Sequence, residues 1–205
     1  QNALQKIQRW VMDYKKQIED YFAALINTLR HIDVNELVKV INVVESTVAN
    51  DQIIYVVGNG GSASTASHIQ SDLGNTVAQL KGKRVNVSCL SDNIATITAI
   101  ANDYSYDAIY VKQLHGRLKK GDLLIAISGS GNSKNIINAV EYAKTVQANI
   151  VAMTGYDGGK IQGMADFNLN VPVDNMQISE DIHLLFNHLI TYVLNSTNKD
   201  YHCDY

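Results

Sequence analysis

Two short runs of this 205-residue chain carry the residue types that grip an anion. Ser128-Gly-Ser-Gly-Asn-Ser133 sets three hydroxyls and two glycines between an apolar run and a helical one. Hydroxyls, close backbone amides and a helix N-terminus bind phosphate without a cationic clamp. A plain turn with an N-cap serine would need only one of these hydroxyls. The second run is Gly58-Asn-Gly-Gly-Ser-Ala-Ser64, whose clustered glycines let amides approach a ligand closely. It lacks the Gly-Lys-Ser/Thr ending of a Walker loop, and Ala63 stands where a dinucleotide fingerprint needs its third glycine.

A third stretch, residues 100–105, joins two helical segments. Its Asn102 and Asp103 suit hydrogen bonding to sugar hydroxyls, and they suit a local turn equally well. Ionisable groups cluster on two helices. His68 and Asp72 are spaced to share one helix face. Residues 178–195 carry Glu180, Asp181, His183 and His188 in an apolar background. Histidine with carboxylates suits a divalent transition metal or acid–base work. Helical periodicity groups Glu180 with His183 and Asn187 and sets His188 about 80° around the axis. Spacing therefore leaves open which histidine matters.

These residues need a frame. Five β-branched or apolar runs, at 53–57, 85–90, 123–127, 150–153 and 167–171, predict strands buried on both faces. Helical patterns at 64–75, 94–100, 107–118, 134–146, 159–165 and 178–195 alternate with them. The expectation is an α/β fold, a mainly parallel sheet with helices on both sides, in a three-layer sandwich. Ligands then sit beyond the carboxyl ends of the strands, where the two glycine-containing loops lie. Ahead of the sheet, residues 1–50 read as a helical N-terminal arm broken near residue 31. Trp10, Tyr14, Ile18, Phe22, Leu25 and Leu29 share one face of it, for packing or subunit contact. Residues 51–196 read as the α/β domain and 197–205 as a tail.

Composition narrows the function classes. A formal net charge of −3 supplies no basic field for direct nucleic-acid binding. No apolar run approaches the ~20 residues that span a bilayer, and the first residues lack a signal-peptide core. Cys89 and Cys203 are far apart without metal-type spacing, so plain thiols in a reducing cytoplasm are expected.

Taken together, the motifs resemble the sedoheptulose-7-phosphate isomerases, or phosphoheptose isomerases, of the SIS-domain (sugar isomerase) family. The resemblance runs from about residue 53 to 194 and rests on several pieces. These are Gly58-Asn-Gly-Gly-Ser62, His68, Ala101-Asn-Asp-Tyr104, the serine loop, Thr154-Gly-Tyr-Asp-Gly-Gly159 and the helix from Glu180 to His188. It implies a flavodoxin-like SIS domain that isomerises a sugar phosphate, a seven-carbon one by preference, through an enediol. It implies zinc held by His68, Asp72, Glu180 and His188, so it selects His188 over His183. It implies Asp72 and His188 as the catalytic pair. Substrate contacts would come from Asn59, Gly60, Gly61, Ser62, Asp72, Asn102, Asp103, Ser128, Gly129, Ser130, Ser133 and Glu180. A homotetramer with active sites at subunit interfaces is implied too.

Three departures stand out. Asp72 occupies a position usually held by glutamate, and Glu180 one usually held by glutamine. A basic residue that often follows the helical glutamate is absent, since Gly74-Asn-Thr-Val77 fills that stretch. The departures admit a different phosphosugar as substrate. A non-catalytic SIS protein that binds a phosphosugar or a protein partner is the alternative. The phrase Met153-Thr-Gly-Tyr-Asp-Gly-Gly159 resembles a bacterial relative that promotes assembly of the replication initiator. That relative lacks a complete metal set, whereas His68, Asp72, Glu180 and His188 are all present here.

Overall fold

The structure, a computed structural model, describes residues 3–77, 79–80 and 82–197. Cys203 and the expected tail beyond residue 197 lie outside the described residues. The chain divides into two compact units, Gln1–Ile32 and Asp33–Tyr205. The first contains α1 (Ala3–Leu29), on which Tyr14, Ile18 and Phe22 are more than half exposed. Leu29 of the predicted stripe is exposed as well, whereas the Trp10 side chain lies outside the described ones. The predicted break follows it, and α2 (Val34–Ala49) begins the second unit. Asp33 starts α2 by accepting the Asn35 and Glu36 amides at 2.9 and 3.2 Å. Leu37, Val40, Val44 and Val48 bury its inner face.

Five parallel strands form the sheet: β1 (Ile54–Gly58), β4 (Val87–Cys89), β5 (Leu123–Ser128), β6 (Asn149–Gly155) and β7 (Phe167–Val171). Their order is β4-β1-β5-β6-β7. Every residue of β1 and β5 is buried, as apolar runs covered on both faces require. Helices α3 (Gly61–Ser71) and α8 (Met176–Thr197) pack together on one side, with α2 against α8 and β7. Helix α6 (Lys134–Thr145) packs on β5 and β6, joined by the short α5 (Val111–Leu114) and α7 (Gly159–Gln162). Tyr55, Val57, Leu124, Ala126, Ile150 and Ala152 meet Ile136, Ala139 and Val140 of α6 in one core cluster. The chain steps from β1 to β4 on one side and then crosses to β5 on the other. That reversal puts a topological switch point between β1 and β5, and a crevice above their carboxyl ends.

Some elements differ from the sequence expectation. Helix α4 (Ile94–Asp103) runs on through Asn102 and Asp103, because Tyr104 N–H closes its last turn on Ile100 O at 3.0 Å. The helix expected over 107–118 is instead a 3₁₀ turn, Tyr106–Ala108, followed by α5, which ends before the left-handed Gly116. The helix expected over 159–165 stops at Gln162, with Gly163 as its C-cap. A small antiparallel pair, β2 (Gln79–Leu80) and β3 (Lys83–Arg84), is too short to leave a period-2 pattern. Cys89 is a free, buried thiol, and burial pushes its pKa up to about 11.

Asp122 ties the front edge of the sheet. Its carboxylate is buried and accepts Ile53 N–H at 2.9 Å and Lys119 N–H at 2.8 Å. Asp122→Ala strands both amides, so urea unfolding is expected to show a loss of about 2–3 kcal/mol. A loss below about 0.5 kcal/mol would contradict this role.

Candidate active site

The two loops singled out in the sequence lie side by side, since β1 and β5 are paired along their length and Gly58 is level with Ile127. Ser128 ends β5 and is buried. Ser133 occupies the N-cap position of α6, yet its hydroxyl makes no capping bond; it lies 3.4 Å from the Ser128 hydroxyl. The plain N-cap reading therefore does not account for this serine. Ser130 Oγ accepts Asn132 N–H at 3.2 Å, which tightens the loop. Gly131 has φ +62, and a Cβ there would fall 2.0 Å from the Gly158 carbonyl, so this turn requires glycine. Asn59, Ser62, Ser128, Gly129, Ser130 and Ser133 line a cavity of about 150 Å³, together with Met176 and Glu180.

Asn59 is fixed by a partner that its sequence context did not announce. Its amide and that of Asn135 donate to each other, at 2.9 and 2.8 Å, with Asn135 buried. Tyr106 OH donates to Asn59 Oδ1 at 2.9 Å, and Tyr110 OH donates to the Gly58 carbonyl. Ser91 Oγ donates to the same carbonyl at 2.9 Å. Asn135 and Tyr110 fall in stretches read as plain helix, and Tyr106 just ahead of one, so periodicity gave no cue to any of them.

The ionisable residues separate into two groups. The ligand atoms of His68, Asp72 and His188 all lie within 4.8 Å of one another. His68 Nε2 is 3.3 Å from Asp72 Oδ1, and the two imidazole rings meet edge to face with centroids 5.1 Å apart. Asp72 sits where α3 gives way to a π-turn, Asp72–Thr76, closed by Val77 N–H on Asp72 O at 2.9 Å. π-turns of this kind recur at functional sites. Its other oxygen accepts Asn187 Nδ2 at 2.7 Å. Two imidazoles and one carboxylate match the donor set of a three-ligand zinc site with an open position.

Glu180 lies elsewhere. A Cβ on Gly61 would fall 2.5 Å from its Oε1, so the carboxylate is packed over the start of α3 and lines the serine-loop cavity. It is half-buried and makes no hydrogen bond or ion pair among the described residues. His183 is fully buried, and its Nε2 is 3.0 Å from the Thr154 carbonyl while Nδ1 has no partner. Burial in the core lowers its pKa, partly opposed by that carbonyl. Gly60 is the N-cap of α3. Asn102 and Asp103 are exposed at the end of α4, bonded to each other at 3.0 Å, and do not line the cavity.

This geometry agrees with the comparisons. A family profile described as SIS domain matches residues 14–155. The phosphoheptose isomerase of Helicobacter pylori is 35% identical over 176 residues, covering 86% of this chain and 91% of that protein. The chain belongs to the SIS-domain family. Within it, the match is to phosphoheptose isomerases in structure as well as sequence. That of Neisseria gonorrhoeae superposes with TM-score 0.82 at 31% identity, covering 89% of this chain and 99% of its own. That of Francisella tularensis gives TM-score 0.81 at 29% identity, over 88% and 97%. The parallel α/β fold expected from the strand pattern, and the flavodoxin-like SIS fold implied by the resemblance, are the fold observed. Among the described residues no helix is long and apolar enough to cross a membrane.

Two outcomes follow for this SIS domain. Unfolded His183 takes up a proton near pH 6.5, whereas the folded ring resists it, so its contribution is complete above that pH and lost as pH falls below it. His183→Gln is expected to flatten the decline in urea stability between pH 7 and 5; an unchanged slope would refute that. Glu180 places negative charge in the cavity lined by serines, and removing it changes anion binding by on the order of 1–2 kcal/mol. Glu180→Gln is therefore expected to bind inorganic phosphate about tenfold more tightly by calorimetry, and weaker binding would show that the carboxylate assists the anion.

Proposed function

We propose that this chain interconverts the aldose and ketose forms of a sugar phosphate, with sedoheptulose 7-phosphate as the leading substrate. The observation that carries the reading is the convergence of His68, Asp72 and His188, whose ligand atoms lie within 4.8 Å of one another, in a chain that also holds the serine-lined cavity. The phosphate would dock on Ser128, Gly129, Ser130 and Ser133, with Asn59, Gly60, Gly61 and Ser62 closing the other side. Glu180 at the cavity and His188 in the trio are eight positions apart on α8, about 12 Å along its axis. A seven-carbon chain with its phosphate at one end and its reacting carbons at the other suits that separation.

Asp72 would take the proton beside the carbonyl, and His188 would act as partner acid and base at the neighbouring carbon, through an enediol. His68 orients Asp72 from one helical turn away. Zinc fits the donors of His68, Asp72 and His188, and when bound it would supply polarisation of the substrate oxygens. The family's fourth position, Glu180, reaches such a trio only from a neighbouring copy, since its own carboxylate lies over Gly61. Together with the exposed stripe on α1, this supports a homotetramer with active sites at subunit interfaces, to which Asn102 and Asp103 would add sugar contacts. A cytoplasmic location suits a phosphorylated metabolite.

Purified protein incubated with sedoheptulose 7-phosphate, with and without zinc, is expected to form a heptose 7-phosphate by NMR. Asp72→Asn and His188→Gln should each lower kcat by about 10²–10⁴-fold. Near-normal turnover in both variants would overturn the assignment. Phosphosugar binding without turnover or metal would favour the binding-protein alternative.

A further inference from the structure

Asp72 is one methylene shorter than the glutamate usual at its position, so its reach and direction need another source of definition. A carboxylate's terminal torsion is broad and two-fold, so its oxygens are not aimed by rotamer preference alone. Here the two oxygens have different partners. Oδ1 faces His68 Nε2 at 3.3 Å, while Oδ2 accepts Asn187 Nδ2 at 2.7 Å. Asn187 is 1% exposed and precedes His188 directly on α8. An ionised carboxylate only accepts hydrogen bonds, so the amide must turn its NH₂ group toward Asp72. The bond crosses from α8, which supplies His188, to Asp72, the first residue of the π-turn that continues α3 after His68.

We propose that Asn187 is a positioning residue that holds one oxygen of Asp72 and leaves the other directed at His68 and the metal position. A buried amide with a purely structural role would support folding alone. The tether on Asp72 instead couples the amide to metal affinity and turnover, as partners that orient ligating groups do. The kinetic consequence rests on the isomerase reading; the orientation of Asp72 does not.

The test uses the full chain with Asn187→Leu, which keeps the branching and removes the donor. Zinc titration against a competing chelator is expected to show affinity reduced 10–100-fold. With sedoheptulose 7-phosphate, kcat should fall while KM stays within about twofold, and a crystal structure should show the Asp72 carboxylate rotated off His68. Asp72→Glu in the same background should recover part of the zinc affinity, because the longer arm needs no tether. Zinc affinity within twofold of wild type, with Asp72 still facing His68, overturns the proposal. A wild type without turnover defeats the isomerase reading and leaves zinc affinity to judge Asn187. Should it also bind no zinc, the orientation of Asp72 in the two crystal structures decides alone. If Asn187→Leu fails to fold, Asn187→Ser, whose hydroxyl is too short to reach Asp72, carries the same expectations.

Discussion

The reciprocal amide pair between Asn59 and Asn135 joins the loop after β1 to the first turn of α6. Within the pair each side chain gives and accepts one bond, so a shift of either loop would break both bonds in a poorly solvated place. Tyr106, Tyr110 and Ser91 secure Gly58 and Asn59 from the opposite side. The serine-loop cavity lies between these fixed walls, because β1 and β5 are neighbours at the point where the chain reverses across the sheet. Remove that adjacency and the two loops become unrelated turns.

A second constraint comes from the approach of α8 to α3. The Glu180 carboxylate lies against Gly61 at the start of α3, where a Cβ would fall 2.5 Å from its Oε1. Further along, the rings of His68 and His188 meet. The two helices thus run alongside each other over about two turns, which brings His188 to His68. The π-turn at Asp72–Thr76 then widens the helix at the residue that faces α8. Packing, rather than local propensity, decides that Asp72, His68 and His188 share one place.

The strands were legible because burial on both faces writes itself as apolar runs, and all five expected runs carry sheet strands. The serine loop was legible because three hydroxyls exceed what a turn requires. His68 with Asp72 was legible from helical spacing, but the choice between His183 and His188 was not, since both lie on one helix in an apolar background. His183 is buried against Thr154 while His188 is exposed beside His68. Asn135 and Asn187 were invisible for a related reason: a polar residue on an apolar helix face announces burial or solvent only when its partner is known. Those partners, Asn59 and Asp72, are remote in sequence. The π-turn left no trace either, because Gly74-Asn-Thr-Val77 reads as ordinary fraying at a helix end.

The separation of Glu180 from the trio has a consequence for how such a site is completed. Zinc ligands stand about 2.0–2.3 Å from the metal, so four donors must come within a few ångströms of one another. Two residues separated by two turns of a straight helix cannot both do so through short side chains. On one chain, then, Glu180 lines the serine-loop cavity and the trio stands apart from it. Among the described residues, the Glu180 carboxylate in the serine-loop cavity has no partner, and the trio has three donors without a fourth histidine, cysteine or carboxylate. The approach of a second copy of the chain, as proposed above, would meet both deficits by one change. A site built this way would bind substrate and assemble by the same contacts, which makes subunit association part of the chemistry rather than a separate property of the surface.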